Sequence, residues 1–329
     1  MSNKFAVVIV YFGQFKKSIS LFLASCTRNP DVDWLFFTDC PIPDEIDLKK
    51  NIIWHQTTLN KIRALAEEKL KIKIPLTKAY KLCDLKPFYG VIFSDYLTDY
   101  EYWGFGDVDV IYGQIARFLE KINYSIYDKI NWMGHLCFVR NVDVCNQAFF
   151  MDVKNTVDWK KVVCADHNIG FDERDANIKF LSNGLKIYSG KWAADIDIFY
   201  WRMRCVDKKT LHFLLDTWEL KYAPSNYQYQ IFAVLNGLTY RIYLRGKKVI
   251  REEFAYIHFR REIPILISPD SLNYLITRDG FIPISENIFD DYDAVKEYTI
   301  KYNRQENAVQ EIKNFLYQLY RKISGKRGW

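Results

Sequence analysis

The chain contains no CxxC pair and no Cys/His cluster: its seven cysteines, Cys26, Cys40, Cys83, Cys137, Cys145, Cys164 and Cys205, stand apart from one another. An odd, scattered set argues against a disulfide framework and against structural zinc, and favours reduced, buried thiols in a cytoplasmic protein. Proline- or serine-rich stretches, low-complexity tracts and internal repeats are lacking too, which excludes disordered and solenoid readings. No run approaches the roughly 20 apolar residues that span a bilayer. The first apolar run, in MSNKFAVVIVYFG, ends at Gly13 without a small-residue cleavage pattern and is expected to be a buried strand rather than a signal peptide.

What is present is apolar and aromatic mass. Of 329 residues, 49% are hydrophobic and 17% aromatic, enough to bury a large core in about two domains or one elaborated domain. The net charge of +6 is a mild basic bias that suits nucleic acid, a membrane surface or an anionic small substrate, and by itself does not choose among them.

The first third alternates short β-rich runs with helical ones. FAVVIVYF, DWLFFTD and NIIWHQ read as strands, SISLFLASCTR and the stretch from Thr58 to Lys71 as helices, the βαβ pattern of an α/β fold. Apolar runs without alternation suggest strands covered on both faces, with a binding crevice at their carboxyl ends. Tyr11, Phe12, Thr38 and Asp39 therefore become candidate ligand-lip residues. In KAYKLCDLKPFYGVIF the spacing of Tyr80, Leu82 and Cys83 suits a helix, and a second helix is expected through FYGVIFSDYL.

The stretch WGFGDVDVIYG, residues 103–113, carries two aspartates one residue apart. On a strand, residues i and i+2 share a face, so Asp107 and Asp109 are expected to project together. Mg²⁺ or Mn²⁺ typically takes one or two protein carboxylates and leaves its other positions to water and phosphate oxygens, so the pair suits a metal-bound diphosphate. A second DVD, at residues 31–33 in NPDVDW, reads as a turn.

KLCDLKPFYGVIFSDYL followed by YEYWGFGDVDVIYGQI, with the FTD strand end before it and GHLCFVRN, GFDE and YIHFRRE after it, resembles nucleotide-sugar-dependent glycosyltransferases of the GT-A fold. More closely, it resembles a bacterial family from capsular polysaccharide and O-antigen (lipopolysaccharide) clusters. The resemblance covers roughly residues 4–262 and is most specific over 78–115. It implies an α/β fold with a Rossmann-like, mostly parallel central sheet flanked by helices: residues 1–265 as the glycosyltransferase domain, divided into a nucleotide-sugar-binding half (1–115) and an acceptor-binding half (116–265), with 266–329 as a C-terminal helical extension. By the same resemblance Asp107, Asp109 and His258 hold Mn²⁺ or Mg²⁺. Tyr11, Phe12, Gly13, Asp39, Asp84, Lys86, Asp107 and Arg260 contact the donor, a UDP-sugar. Where relatives carry Lys-Arg this chain has Arg260-Arg261, so which of the two meets phosphate stays open.

Acceptor chemistry is expected from the middle of the chain. Asp172 and Glu173 in GFDE are candidates for the carboxylate that takes the acceptor's proton, with helix capping as the rival role, and His135 follows a glycine turn that can aim it into a pocket. Asp195 and Asp197 in WAADIDIFYW form another i, i+2 pair, expected as a pocket lining, a turn or a solvated strand face. The partners implied are a nucleotide sugar and a glycan or glycolipid acceptor, with no nucleic acid. The basic, amphipathic EIKNFLYQLYRKISGKRGW at 311–329 suits either peripheral contact with the inner face of an anionic membrane or packing on the main domain. Two rival functions remain at this level: a sugar nucleotidyltransferase, for which the N-terminal loop has too few glycines, and a non-catalytic glycan- or RNA-binding protein, which leaves the paired aspartates unexplained.

Overall fold

The computed structural model describes residues 4–44, 46, 48–197, 203–205, 226–260, 262–285 and 290–302. Arg261 and the basic stretch at 311–329 lie outside the described residues.

A seven-stranded sheet forms the centre. Its strands are β1 (Phe5–Tyr11), β2 (Val32–Thr38), β3 (Ile52–Gln56) and β4 (Tyr102–Gly106). Beyond β5 (Val110–Tyr112), which leaves for another sheet, it is completed by β6 (Lys129–Ile130), β7 (Leu136–Arg140) and β8 (Ile187–Tyr188). The order is β3-β2-β1-β4-β7-β6-β8, with β7 reversed against six parallel strands. Both faces are covered, which is why the strands read as unbroken apolar runs. Along β1, Ala6 and Val8 face one core while Phe5, Val7 and Ile9 face the other.

The helices follow from their apolar faces. Helix α1 (Ile19–Thr27) inserts Phe22, Leu23 and Cys26 into the second core. Helix α2 (Leu59–Leu70) lays Ile62, Ala66 and Leu70 on the first, and Thr58 caps its start by accepting from the Lys61 amide. Each fully buried leucine or phenylalanine of this kind contributes about 1.5–3 kcal/mol. The first core is closed by α3 (Tyr89–Ile92), α5 (Asp143–Gln147), α6 (Trp159–Cys164) and α7 (Arg174–Ser182), the second by α4 (Ile115–Lys121). FYGVIFSDYL, expected as one helix, forms only the four residues of α3 and a short 3₁₀ turn at Ser94–Tyr96. Its glycine and β-branched valine favour no long helix.

Two further sheets stack beside this unit. One has the order β10-β9-β14-β5, from β9 (Ala193–Asp197), β10 (Arg204–Cys205) and β14 (Tyr256–His258). The other is an antiparallel sheet, β13-β12-β11-β15-β16, from β11 (Gln230–Leu235), β12 (Leu238–Arg245), β13 (Lys248–Phe254), β15 (Tyr274–Thr277) and β16 (Gly280–Pro283). Ile111, Ala194, Ile196 and Ile257 of the former pack against Phe232, Val234, Ile276 and Phe281 of the latter. Helix α8 (Tyr292–Tyr302) covers the outer face through Val295.

Three local expectations change. Asp107 and Asp109 are not on one continuous strand: the chain bends between β4 and β5, which belong to different sheets, and the pair occupies the bend. Residues 274–283, expected within a helical extension beginning at 266, form a hairpin on β11. The polar two-residue link Arg278-Asp279 between two β-rich runs was its signal. Asp195 and Asp197 lie neither in a turn nor on a solvated face; they sit on β9, 3% and 2% exposed.

Candidate functional site

The parallel strands β1, β2 and β4 end at the same edge of the central sheet, with Tyr11 opposite Thr38 and Val8 opposite Phe105. The residues that follow those ends meet. The Gly13 amide donates to Asp39 Oδ1 at 3.0 Å, Cys40 Sγ donates to the Gly13 carbonyl at 2.6 Å, and Tyr11 stacks on Phe15 with ring centres 4.9 Å apart. Gly13 has φ +104°, a backbone conformation that side chains with a Cβ rarely adopt. Tyr11, Gly13 and Asp39 thus form a lip. Phe12 does not join them and is buried in the first core.

Sheet register assembles the next group. His258 on β14 lies opposite Val110 of β5 on one side and opposite Asp195 of β9 on the other. Its ring therefore stands between Asp109, just before Val110, and Asp195. His258 Nε2 is 3.4 Å from Asp109 Oδ1, and Nδ1 is 2.9 Å from Asp195 Oδ1. Asp107 enters from the end of β4, its amide donating to the His135 carbonyl at 3.3 Å. Asp107, Asp109 and His258 each offer a ligand atom, all within 4.8 Å of one another. Two carboxylates and an imidazole are a donor set that fits Mn²⁺ or Mg²⁺ with positions left for other oxygens.

The charges are mutually dependent. Burial works against the Asp195 carboxylate, but Arg260, which grips it through Nε at 2.6 Å and again through Nη2, and His258 hold it well below the usual carboxylate range. Burial likewise opposes a charge on His258, and Asp109 and Asp195 outweigh it, raising the ring to about 9. Asp109 is held down to about 2: burial pushes its carboxyl up, and His258 and Lys16 pull it lower. His135 lies behind this group, buried, its ring stacked 4.2 Å from His258 and its Nδ1 2.9 Å from the Tyr256 hydroxyl, to which Asn131 also donates.

Lys86 links the metal set to the acceptor-side carboxylates. Its ammonium is 2.5 Å from Asp107, 3.0 Å from the Gly134 carbonyl and 3.7 Å from Asp172. Burial disfavours that ammonium, yet Asp107 above all restores it and holds Lys86 well above the usual lysine range. Asp172 is 8% exposed. Burial is the largest influence on it and Lys86 the main opposing one; the carboxyl is pushed up to about 7. Gly134 lets Asp172 approach closely: a Cβ there would lie 2.5 Å from Asp172 Oδ2 and would displace that carboxylate. Glu173 follows at the start of α7, partly exposed.

Asp84 is placed elsewhere. It is fully buried and accepts from the consecutive amides of Ile169, Gly170 and Phe171 and from Lys81 at 2.8 Å. Its carboxylate anchors the loop that leads into Asp172 and does not face the lip. The reading from sequence also missed two contributors: Lys16, 3.7 Å from Asp109, and Asp195 as the partner of His258. Lys16 lies only three residues beyond Gly13, a signal the chain itself offered; the pairing of Asp195 depends on sheet register and left none.

No curated protein sequence matches this chain. Among solved structures, a protein from Desulfovibrio desulfuricans G20, provisionally named a nucleotide-diphospho-sugar transferase, aligns at TM-score 0.31 and 8% identity over 57% of this chain and 80% of that one. Among the described residues no helix is long and apolar enough to cross a membrane. One family model matches residues 7–285, and by that match the chain belongs to DUF6625, a family of unknown function.

Proposed function

We propose that this chain is a metal-dependent glycosyltransferase that moves a hexose from a nucleotide diphosphate sugar, a UDP-hexose, to a hydroxyl of a surface polysaccharide or lipid-linked oligosaccharide. The observation that carries the reading is the convergence of Asp107, Asp109 and His258 within 4.8 Å at the strand ends where an α/β sheet binds its ligands. A carboxylate cluster repels phosphate unless a cation intervenes, so this group makes chemical sense as a seat for a metal-bound diphosphate. When bound, the cation supplies Lewis-acid stabilisation of the departing diphosphate.

The protein's own groups divide the remaining work. Tyr11, Gly13 and Asp39 form the lip that receives the nucleoside. Lys86 fixes Asp107 and Asp172 relative to each other through one ammonium. Asp172, whose carboxyl is pushed up to about 7, is matched to accepting the acceptor hydroxyl's proton near neutral pH. Glu173 is the carboxylate next to it in the chain, and His135 supports the metal group through its ring stacked on His258.

Calorimetric titration of UDP, and of GDP for comparison, with and without Mn²⁺, tests the reading on the wild type and on Asp109→Ala. UDP binding that requires Mn²⁺ and is lost in the variant is expected. A folded wild type that binds neither nucleotide in the presence of Mn²⁺ would sink the glycosyltransferase reading.

A further inference from the structure

The carboxylates of the site, Asp107, Asp109, Asp172 and Asp195, receive their ion pairs among the described residues from Lys16, Lys86, His258 and Arg260. These four cations are not equivalent. Arg260 spends two of its nitrogens on Asp195, and the pair is 8% and 3% exposed. Releasing that guanidinium would leave a buried carboxylate with His258 alone as its counter-charge. Lys86 is equally enclosed, at 8%; its ammonium already donates to Asp107 and to the Gly134 carbonyl, with Asp172 a further 3.7 Å neighbour. His258 turns one ring nitrogen to Asp195 and the other to Asp109.

Lys16 differs in each respect. Its side chain is 38% exposed, and its 3.7 Å approach to Asp109 is longer than a hydrogen bond. Its backbone, by contrast, is fixed from both sides. The Gly13 amide is held by Asp39, the Tyr11 hydroxyl donates to the Gln14 carbonyl at 2.8 Å, the Ile19 amide donates to the Lys16 carbonyl at 3.0 Å, and the Lys17 amide donates to Glu262 at 3.1 Å. A short strap pinned at its ends thus carries one loosely engaged ammonium over the outer side of the metal-ligand set. Ligands of one cation are neighbours, so an anion sharing a cation with Asp109 lies beside the carboxylate that Lys16 already faces.

We infer that Lys16 is the residue that binds the diphosphate of the nucleotide, in place of the contact expected from Arg260. The inference rests on the proposed function, since it requires a diphosphate ligand at the Asp107–Asp109–His258 group. In the absence of that ligand Lys16 leans on Asp109; with it, the ammonium exchanges a weak carboxylate contact for a charge-assisted hydrogen bond to phosphate.

The test compares wild type, Lys16→Gln and Lys16→Arg by calorimetry with Mn²⁺ alone, then with UDP, UMP and inorganic diphosphate at saturating Mn²⁺. Lys16→Gln is expected to bind Mn²⁺ at least as well as wild type, because a competing cation beside Asp109 is removed. It should lose about ten- to hundredfold in UDP and diphosphate affinity, lose less for UMP, and recover with arginine. Equal UDP and diphosphate affinity in wild type and Lys16→Gln overturns the inference. A wild type that binds Mn²⁺ and diphosphate but no nucleotide overturns the nucleotide-sugar reading while leaving Lys16 to be judged on diphosphate. A wild type that binds neither overturns both.

Discussion

Asp195 accepts from Nδ1 of His258 at 2.9 Å, on the ring edge opposite the one that meets Asp109. A carboxylate in that position fixes the ring's orientation and makes its outward nitrogen a better metal donor. Arg260 in turn fixes the carboxylate. Asp195→Asn is expected to lower Mn²⁺ affinity by about 10- to 100-fold. It also removes the counter-charge of a buried guanidinium, a loss of about 3–5 kcal/mol in unfolding free energy. Calorimetry and urea denaturation measure the two effects separately; Mn²⁺ affinity equal to wild type would show that Asp195 does not serve the metal group.

The charge on His258 gives metal binding a pH signature. With its ring raised to about 9 by Asp109 and Asp195 against the opposing effect of burial, the metal-free protein holds an imidazolium at pH 7. A cation can take the ring nitrogen only after that proton leaves. Mn²⁺ affinity is expected to climb about tenfold per pH unit up to pH 9, with about one proton released per metal at pH 7. For the metal-free protein the sign is the reverse. The stabilisation from the charged ring is full below the unfolded histidine value near 6.5 and is lost as pH rises through about 9. Titrations in buffers of different ionisation enthalpy count the proton, and a count of zero rules His258 out as a protonated ligand.

Asp172 opposes folding as it ionises. Burial, reinforced by Glu173 and Asp107 and countered by Lys86, pushes it up to about 7. The native state therefore holds a proton that the unfolded chain releases near 3.9, and stability falls as pH rises from about 4 to about 7. Asp172→Asn is expected to raise the denaturation midpoint at pH 8 by an amount equivalent to a few kcal/mol at most, each pKa unit being about 1.4 kcal/mol. At pH 4 the variant should match wild type, and transfer to acceptor should be lost at every pH. Equal midpoints at pH 8 would contradict the assignment.

Asp84 distinguishes a loop anchor from a ligand contact. Its carboxylate satisfies three consecutive amides at 169–171 and the Lys81 ammonium, which also reaches the Val162 and His167 carbonyls. Asp84→Ala should cost about 3–5 kcal/mol of stability, mostly from the uncompensated Lys81 charge. Mn²⁺ binding by the folded fraction should be unchanged. Full stability with weakened nucleotide binding would instead return Asp84 to the donor contact first expected of it.

How much of this was legible beforehand follows the range of each interaction. The strands β1 to β3 and the helices α1 and α2 stand close to where the sequence put them, because apolar runs and 3.6-residue periodicity are local signals. Tyr11 and Asp39 of the lip were readable for the same reason, since they need only the ends of adjacent parallel strands; Gly13 came with the family resemblance. Phe12 and Asp84 were misplaced because an apolar residue at a strand end, or an aspartate near a lysine, reads the same whether it faces a cleft or a core. Burial decides, and burial is not a local property.

The pair Asp107 and Asp109 shows the division most clearly. Their spacing and carboxylate chemistry were enough to mark a candidate metal group, and no partner had to be known to say so. The route by which they converge was not that of a single strand; they occupy a bend between two sheets. The sequence by itself thus determined the α/β layering, the strand-end lip and the carboxylates available for a cation. Only the tertiary structure decided which side chains complete the group. Arg260, two residues past the end of β14, grips Asp195 from 65 residues away, and His258 meets it from 63 through sheet register, where a one-residue slip would have turned the ring to the opposite face.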